Sequence, residues 1–183
     1  NAGMDEDYRG EHQAPMKDSG APAHDVTGGG NFYPDDVYGP NGLRYYGTGD
    51  DRMDAEAYSV IRRLRNHPNY QVTVYRAVPK SVKAAIRPGD WVTTVRRYAS
   101  DHGRSALNGD YKIQSKLVHA RDIFTNGDSW LEWGYDPQPF DEESHRALLA
   151  RRAAKKAAES VASEALESVE ATPAFDAATA TGA

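Results

Sequence analysis

The sequence predicts an α+β domain, and three observations carry that expectation. Short β-branched or alternating apolar runs recur at 71–78, 90–94, 111–118, 123–124 and 129–135. Helical patterns at 54–66 and about 96–102 are interspersed among them. From Asp141 to about Glu170 the chain is alanine-rich and charged, with strong helix formers throughout.

Residues 1–53 are rich in Gly, Asp, Pro and Tyr and keep no sustained period of 2 or 3.6. Gly28-Gly-Gly30, Asp35-Asp36 and Pro40-Asn-Gly42 are turn signals. An extended, partly ordered arm is expected, a wrap rather than a domain. The pairs Phe32-Tyr33 and Tyr45-Tyr46 are placed to pin it on a core at 54–140.

Within that core, Asp54 reads as the N-cap of a helix ending near Asn66 and stopped by Pro68. Tyr58, Ile61 and Leu64 line one face, while Arg62, Arg63 and Arg65 sit largely outside it. After the strand 71–78 come a helical or turn segment around Ser81–Ile86 and a turn at Pro88-Gly89. Strand 90–94 leads into the helix at about Arg96–His102. Asn108-Gly-Asp110 is a loop and 111–118 a half-exposed strand. Ile123-Phe124 is another short strand, Asn126-Gly127 a tight turn, and 129–135 the last strand. The helix at 141–170 has apolar positions too sparse for a heptad seam, so an exposed or partly docked helix is expected. Residues 171–183 are an Ala/Thr tail, expected to be disordered.

The 183 residues suffice for one domain with appendages, and a hydrophobic fraction of 39%, much of it alanine, points to a core smaller than the chain. No apolar run reaches a membrane span, so no membrane partner is expected. The chain has no cysteine, which excludes disulfides, thiolate nucleophiles and cysteine zinc sites and fits a reducing compartment. His12, His24, His67, His102, His119 and His145 show no ligand spacing, so no metal site is expected. The first residue is asparagine, which fits a processed product or a piece of a longer polypeptide.

The net charge of −5 is strongly segregated. Residues 1–54 carry 11 acids and 4 bases, residues 55–121 carry 4 acids and 13 bases, and residues 122–183 carry 12 acids and 5 bases. The net charges are therefore −7, +9 and −7. A positive field over the middle suits a diphosphate or a nucleic acid. The plainer alternative is that the acidic ends fold back over the basic centre.

One constellation carries specific chemistry. Arg76 sits inside the apolar run Val72-Thr-Val-Tyr-Arg-Ala-Val78, where a guanidinium is costly unless an anion meets it. Gly89-Asp-Trp-Val-Thr-Thr94 supplies the paired hydroxyls of Thr93 and Thr94. Trp130-Leu-Glu-Trp-Gly-Tyr135 supplies Glu132. Arginine, hydroxyl and carboxylate follow one another on separate strands.

At these residues, about 70–137, the sequence resembles the mono-ADP-ribosyltransferases of the arginine–serine–glutamate type. The likeness is greater to the divergent transferase-like domains of phage and mobile-element polyvalent proteins. Tyr75-Arg76, Gly89-Asp-Trp-Val-Thr-Thr94 with Tyr98-Ala99 on the following helix, and Glu132 carry the resemblance. It implies a fold of two small facing β-sheets with flanking helices, NAD as substrate, and transfer of ADP-ribose with release of nicotinamide. Glu132 is then the catalytic carboxylate and Arg76 the anchor of the NAD pyrophosphate or adjoining ribose. Thr93 or Thr94 would orient the glutamate, and Tyr75 and Trp130 complete the cofactor-binding set. Threonines stand where the family usually shows Ser-Thr-Ser. Trp130 stands where arginine-modifying members place a second carboxylate, which argues against an arginine acceptor. Its indole suits stacking on nicotinamide or a nucleobase, or simple packing.

Other readings of the same residues stay open. Arg76 could pair with a structural carboxylate such as Asp90, and Glu132 could be an exposed strand residue or itself that structural partner. Tyr8-Arg9-Gly10 spells the family's first-strand motif more literally but lacks a β-branched run, leaving Arg9 and His12 as the residues to watch if the arm reaches the cleft. A non-catalytic, virion-associated accessory module, binding nucleic acid or a protein partner through the basic core, is the main functional alternative. A scaffold assembling through 141–170 is a third. The acceptor is left open among a host protein, a nucleic acid, a small molecule and water. Oligomeric state is also open, and the resemblance places the chain in a host cytoplasm or a virion.

Overall fold

The computed structural model describes residues 13–29 and 31–170. The tail at 171–183, the Tyr8-Arg9-Gly10 motif and His12 lie outside the described residues. The architecture is α+β, with two small antiparallel sheets and a long C-terminal helix.

The longest ladder pairs β2 (Gln71–Val78) with β4 (Lys112–His119), from Gln71 opposite His119 to Val78 opposite Lys112. β2 matches its sequence-predicted bounds because its β-branched residues suit a half-buried pleat. Val72, Val74 and Val78 are buried on one face. Arg76 shares that face by alternation and is half-buried.

The second sheet runs in the order β1 (Ala21–Pro22), β5 (Ile123–Thr125), β6 (Trp133–Tyr135), β3 (Trp91–Val92). Its strands are two or three residues long, shorter than the runs 90–94 and 129–135 lead one to expect. Among the described residues the sheets meet at one isolated bridge, Tyr75 opposite Thr93. Tyr75 N donates to Thr93 O at 2.8 Å and Thr93 N to Tyr75 O at 2.9 Å.

Four α-helices complete the described chain: α1 (Gly42–Tyr46), α2 (Asp51–Leu64), α3 (Arg96–Ala106) and α4 (Glu142–Glu170). α2 buries Tyr58, Ile61 and Leu64 as its periodicity requires. Its N-cap, however, is Asp50, whose carboxylate accepts from Met53 N at 3.0 Å. Asp54 lies inside the helix, buried, accepting from Thr48 Oγ1 at 2.7 Å and Gly49 N at 2.9 Å. Residues 81–86 form no helix; only a turn at Lys80–Ser81 precedes irregular chain. α4 buries none of its residues, and Asp141 caps its start by accepting from Ser144 N at 2.8 Å.

The described part of the first 53 residues is more than a wrap. Ala21, Ala23, Val26, Tyr33 and Val37 are core residues, and β1 forms the edge of a sheet. Tyrosine hydroxyls fasten this stretch: Tyr58 donates to Gly39 O at 2.9 Å, and Tyr38 accepts from Val26 N at 3.0 Å. Tyr33 and Tyr46 meet edge to face at 6.0 Å, whereas Tyr45 stays exposed. Composition hid this role because the buried residues are small and scattered among turns.

Gly134, in the middle of β6, is where the N-terminal chain is seated most closely. A Cβ there would stand 1.8 Å from Pro15 O. Gly134→Ala is expected to destabilise the protein by about 2 kcal/mol or more, since overpacking against backbone allows no easy relief. Urea unfolding of the two proteins checks this. An unchanged midpoint would mean that residues 13–22 are not seated on β6.

Candidate functional site

β2, β3, α3 and the residue preceding β6 enclose a cleft of about 460 Å³. That volume falls within the roughly 300–1,000 Å³ usual for small-molecule sites. Its polar and aromatic wall comes from Tyr75, Arg76, Thr93, Tyr98, His102 and Glu132, with Trp91 and Val92 beside them. Arg76, Thr93 and Glu132, singled out as one residue from each of three segments, thus line one hollow.

Each wall residue is placed by a local feature. Arg76 follows the bridge residue Tyr75 and donates from Nη1 to Trp91 O at 2.8 Å. The guanidinium is thereby held against β3 rather than swinging in solvent. Thr93 is buried at the foot of the cleft, where its Oγ1 accepts from Val95 N at 3.2 Å. That bond fixes the hydroxyl oxygen at the turn into α3. Asp90, the carboxylate considered as a structural partner of Arg76, is buried and accepts from Arg87 N at 3.0 Å.

Glu132 is exposed and belongs to no strand. The chain turns at Trp130-Leu131, and β6 begins only at Trp133. Leu131 N donates to Ser129 Oγ at 3.0 Å, and the Trp133 indole donates back to Trp130 O at 2.7 Å. These bonds close the turn and project Glu132 between two buried tryptophans. Tyr98, two residues into the first turn of α3, donates its hydroxyl to Glu132 Oε1.

This changes the assignment of the orienting hydroxyl. Sequence reasoning gave it to Thr93 or Thr94. Thr93 Oγ1 accepts from Val95 N, and Thr94 is buried and absent from the cleft lining. The hydroxyl bonded to Glu132 is that of Tyr98. Trp130 also lies away from the lining, 1% exposed, its ring stacked on Tyr58 at 5.1 Å. Trp91 is the tryptophan of the cleft wall.

Among the aromatic and polar residues of the cleft, Trp91 and His102 are the ones to which the sequence assigned no site role. Tyr98 was noted only as part of a motif. Tyr98 and His102 stand at i and i+4, so one face of α3 carries both. That spacing, immediately after the hydroxyl-bearing strand, was the available signal.

Burial, then the hydrogen bond to Glu132, then the charge of that carboxylate hold the Tyr98 hydroxyl well above the ordinary tyrosine range. Burial likewise pushes Tyr33 up, to about 12. A phenol that ionises later in the folded than in the unfolded protein contributes stability below about pH 10, and that contribution is lost as pH rises beyond it. Stability should therefore fall from about pH 10 to about pH 12, and fall less steeply in Tyr98→Phe. Urea midpoints across that range check the slope; parallel curves would remove Tyr98 as a contributor.

Searches against protein-family models, curated proteins and solved structures find no match to this chain.

Proposed function

We propose that this cleft binds NAD and that the protein is an ADP-ribosyltransferase-like enzyme, cleaving the nicotinamide–ribose bond and passing ADP-ribose to an acceptor. The observation that carries the reading is the convergence of Arg76, Thr93 and Glu132 on one cleft, with Tyr98 bonded to the carboxylate.

The chemistry follows from charge. As the bond between the ribose C1′ and the nicotinamide nitrogen breaks, its electron pair goes to the ring, and nicotinamide leaves neutral. Positive charge grows on the sugar. A carboxylate held beneath that carbon stabilises the oxocarbenium-like state and can accept from the ribose 2′-hydroxyl. Glu132 takes this role, with one oxygen fixed by Tyr98. Tyr98 acts as a positioning residue. Arg76 serves the pyrophosphate, since a guanidinium does not deprotonate and meets phosphate oxygens in a planar fork. Aromatic residues of the wall, Tyr75 and Trp91, offer faces for a nicotinamide or adenine ring.

Isothermal titration with NAD and a nicotinamide-release assay divide these roles. Arg76→Ala should raise the Kd at least about tenfold, as loss of a charge-assisted contact does. Glu132→Gln should bind within about threefold of wild type yet release nicotinamide on the order of a hundredfold more slowly. Tyr98→Phe should leave binding intact and lower kcat by at least about tenfold, the scale of one hydrogen bond to a charged group. A wild-type protein that takes up no NAD would end the reading. Salt-dependent DNA binding without nicotinamide release would instead favour the accessory-module alternative.

A further inference from the structure

We propose that His102 is the proton acceptor for the group that attacks the ribose carbon, and that this group is a neutral oxygen nucleophile, water or a hydroxyl. The inference rests on the NAD reading of the cleft and goes beyond it by assigning the second half of the reaction.

Placement comes first. His102 lies one helical turn beyond Tyr98, about 6 Å further along the axis of α3, and lines the same cleft as Glu132. Thr93 and Ala99 are buried, whereas His102 is exposed. It therefore stands at the mouth, where an acceptor must enter. Its imidazole also has no evident structural duty. The ring makes no hydrogen bond or ion pair among the described residues; only its backbone carbonyl is used, by Ser105 Oγ at 3.4 Å.

Elimination gives the second argument. Proton transfer to an attacking hydroxyl needs a group that accepts near neutral pH. Arg76 never accepts, and tyrosine hydroxyls such as Tyr75 and Tyr98 carry their own protons there. Glu132 is bonded to Tyr98 and is needed beneath the sugar. Two residues before it, where a second carboxylate would stand, is Trp130, stacked in the core. Among the side chains lining the cleft, His102 is left, and imidazole suits the task.

The step balances. As the nucleophile's oxygen bonds to C1′, its O–H bond breaks and the proton passes to an imidazole nitrogen. The imidazolium then releases that proton to solvent. NAD and R–OH become the O-linked ADP-ribosyl glycoside or free ADP-ribose, nicotinamide and one proton. A neutral oxygen needs such a base.

The titratable and charged groups that line the cleft with His102 are Tyr75 and Arg76 from β2, Glu132 before β6, and Tyr98 on α3 itself. Asp101 and Arg104, beside it on α3, pair with each other, and the Tyr111 ring lies against Gly103. Their ionisation is common to wild type and variant, so a difference between the two profiles reports on His102.

The test uses the full chain with NAD, comparing wild type with His102→Gln and His102→Ala. NAD affinity is read by titration, and nicotinamide release is followed from about pH 5 to pH 8, the window in which histidine changes charge. His102→Gln should lower kcat about a hundredfold with KM nearly unchanged, and should lose the rise in rate with pH that wild type shows. Added imidazole should restore part of the rate of His102→Ala. An arm with added methanol separates the two sources of oxygen: the 1′-O-methyl glycoside of ADP-ribose identifies hydroxyl acceptance, and free ADP-ribose alone identifies water. Wild-type rate and pH profile in His102→Gln overturn the assignment while leaving the NAD reading standing. Bound NAD with no release of nicotinamide by the wild type also overturns it. Failure of the wild type to bind NAD removes the parent reading and this inference together.

Discussion

A single pair of reciprocal backbone hydrogen bonds, between Tyr75 and Thr93, joins the two sheets and sets the geometry of the cleft. An isolated antiparallel bridge fixes one point of contact and leaves the sheets free to diverge beyond it. β3 must satisfy β6 on one side while reaching β2 on the other, and it pairs with β6 over only two residues. Both residues of the bridge line the cleft. Arg76, the next residue of β2, grips β3 a second time through Trp91 O. A wider interface between the sheets would fill the hollow; the single bridge, with α3 and Glu132 facing it, keeps the hollow open.

The floor and the rim of this cleft are built by different means. Val92, Thr93 and Ala99 are buried and belong to elements whose backbone bonds are satisfied by neighbours. Glu132 stands on a turn, yet it is not loose. Trp130, Leu131 and Trp133 flank it and are all nearly inaccessible, so three large apolar side chains anchor the backbone on either side of one exposed carboxylate. Their burial stabilises the turn by several kcal/mol, at about 1.5–3 kcal/mol for each large side chain. An acid held this way keeps its position without being buried itself, which would penalise its charge.

Much of this was legible in the residues, for physical reasons that differ along the chain. β2 was legible because β-branched residues with an alternating face leave few alternatives. The arginine within it was legible because a cation among valines demands an explanation. The placement of Glu132 was read as strand because Trp, Leu, Trp and Tyr all favour β-structure; that the chain turns first follows from tertiary burial of two indoles, which propensity does not encode. Tyr98 was less visible still, since a tyrosine on an amphipathic helix is ordinarily a packing residue. Its meeting with Glu132 spans 34 positions and depends on how α3 docks. Asp54 illustrates the converse: it has the composition of an N-cap, but Asp50 lies four residues earlier, and the buried carboxylate instead serves Thr48 and Gly49.

The substitution of tyrosine for threonine as the glutamate's partner has a consequence for charge. A carboxylate that must face a developing cation loses effectiveness if its orienting donor withdraws or ionises. A threonine hydroxyl at the bottom of the cleft would hold the acid low, but the hydroxyl bonded to Glu132 is Tyr98's, while Thr93 Oγ1 accepts from Val95 N. Tyr98 reaches from a helix on the far wall, and its partial burial beside a negative charge pushes its ionisation well above the ordinary tyrosine range, which favours the neutral donor. The wall that fixes the acid is therefore also the wall that carries His102, one turn away. α3 couples the two: its docking sets both the angle of the carboxylate and the position of the imidazole, so a shift of this helix would move both halves of the proposed reaction at once.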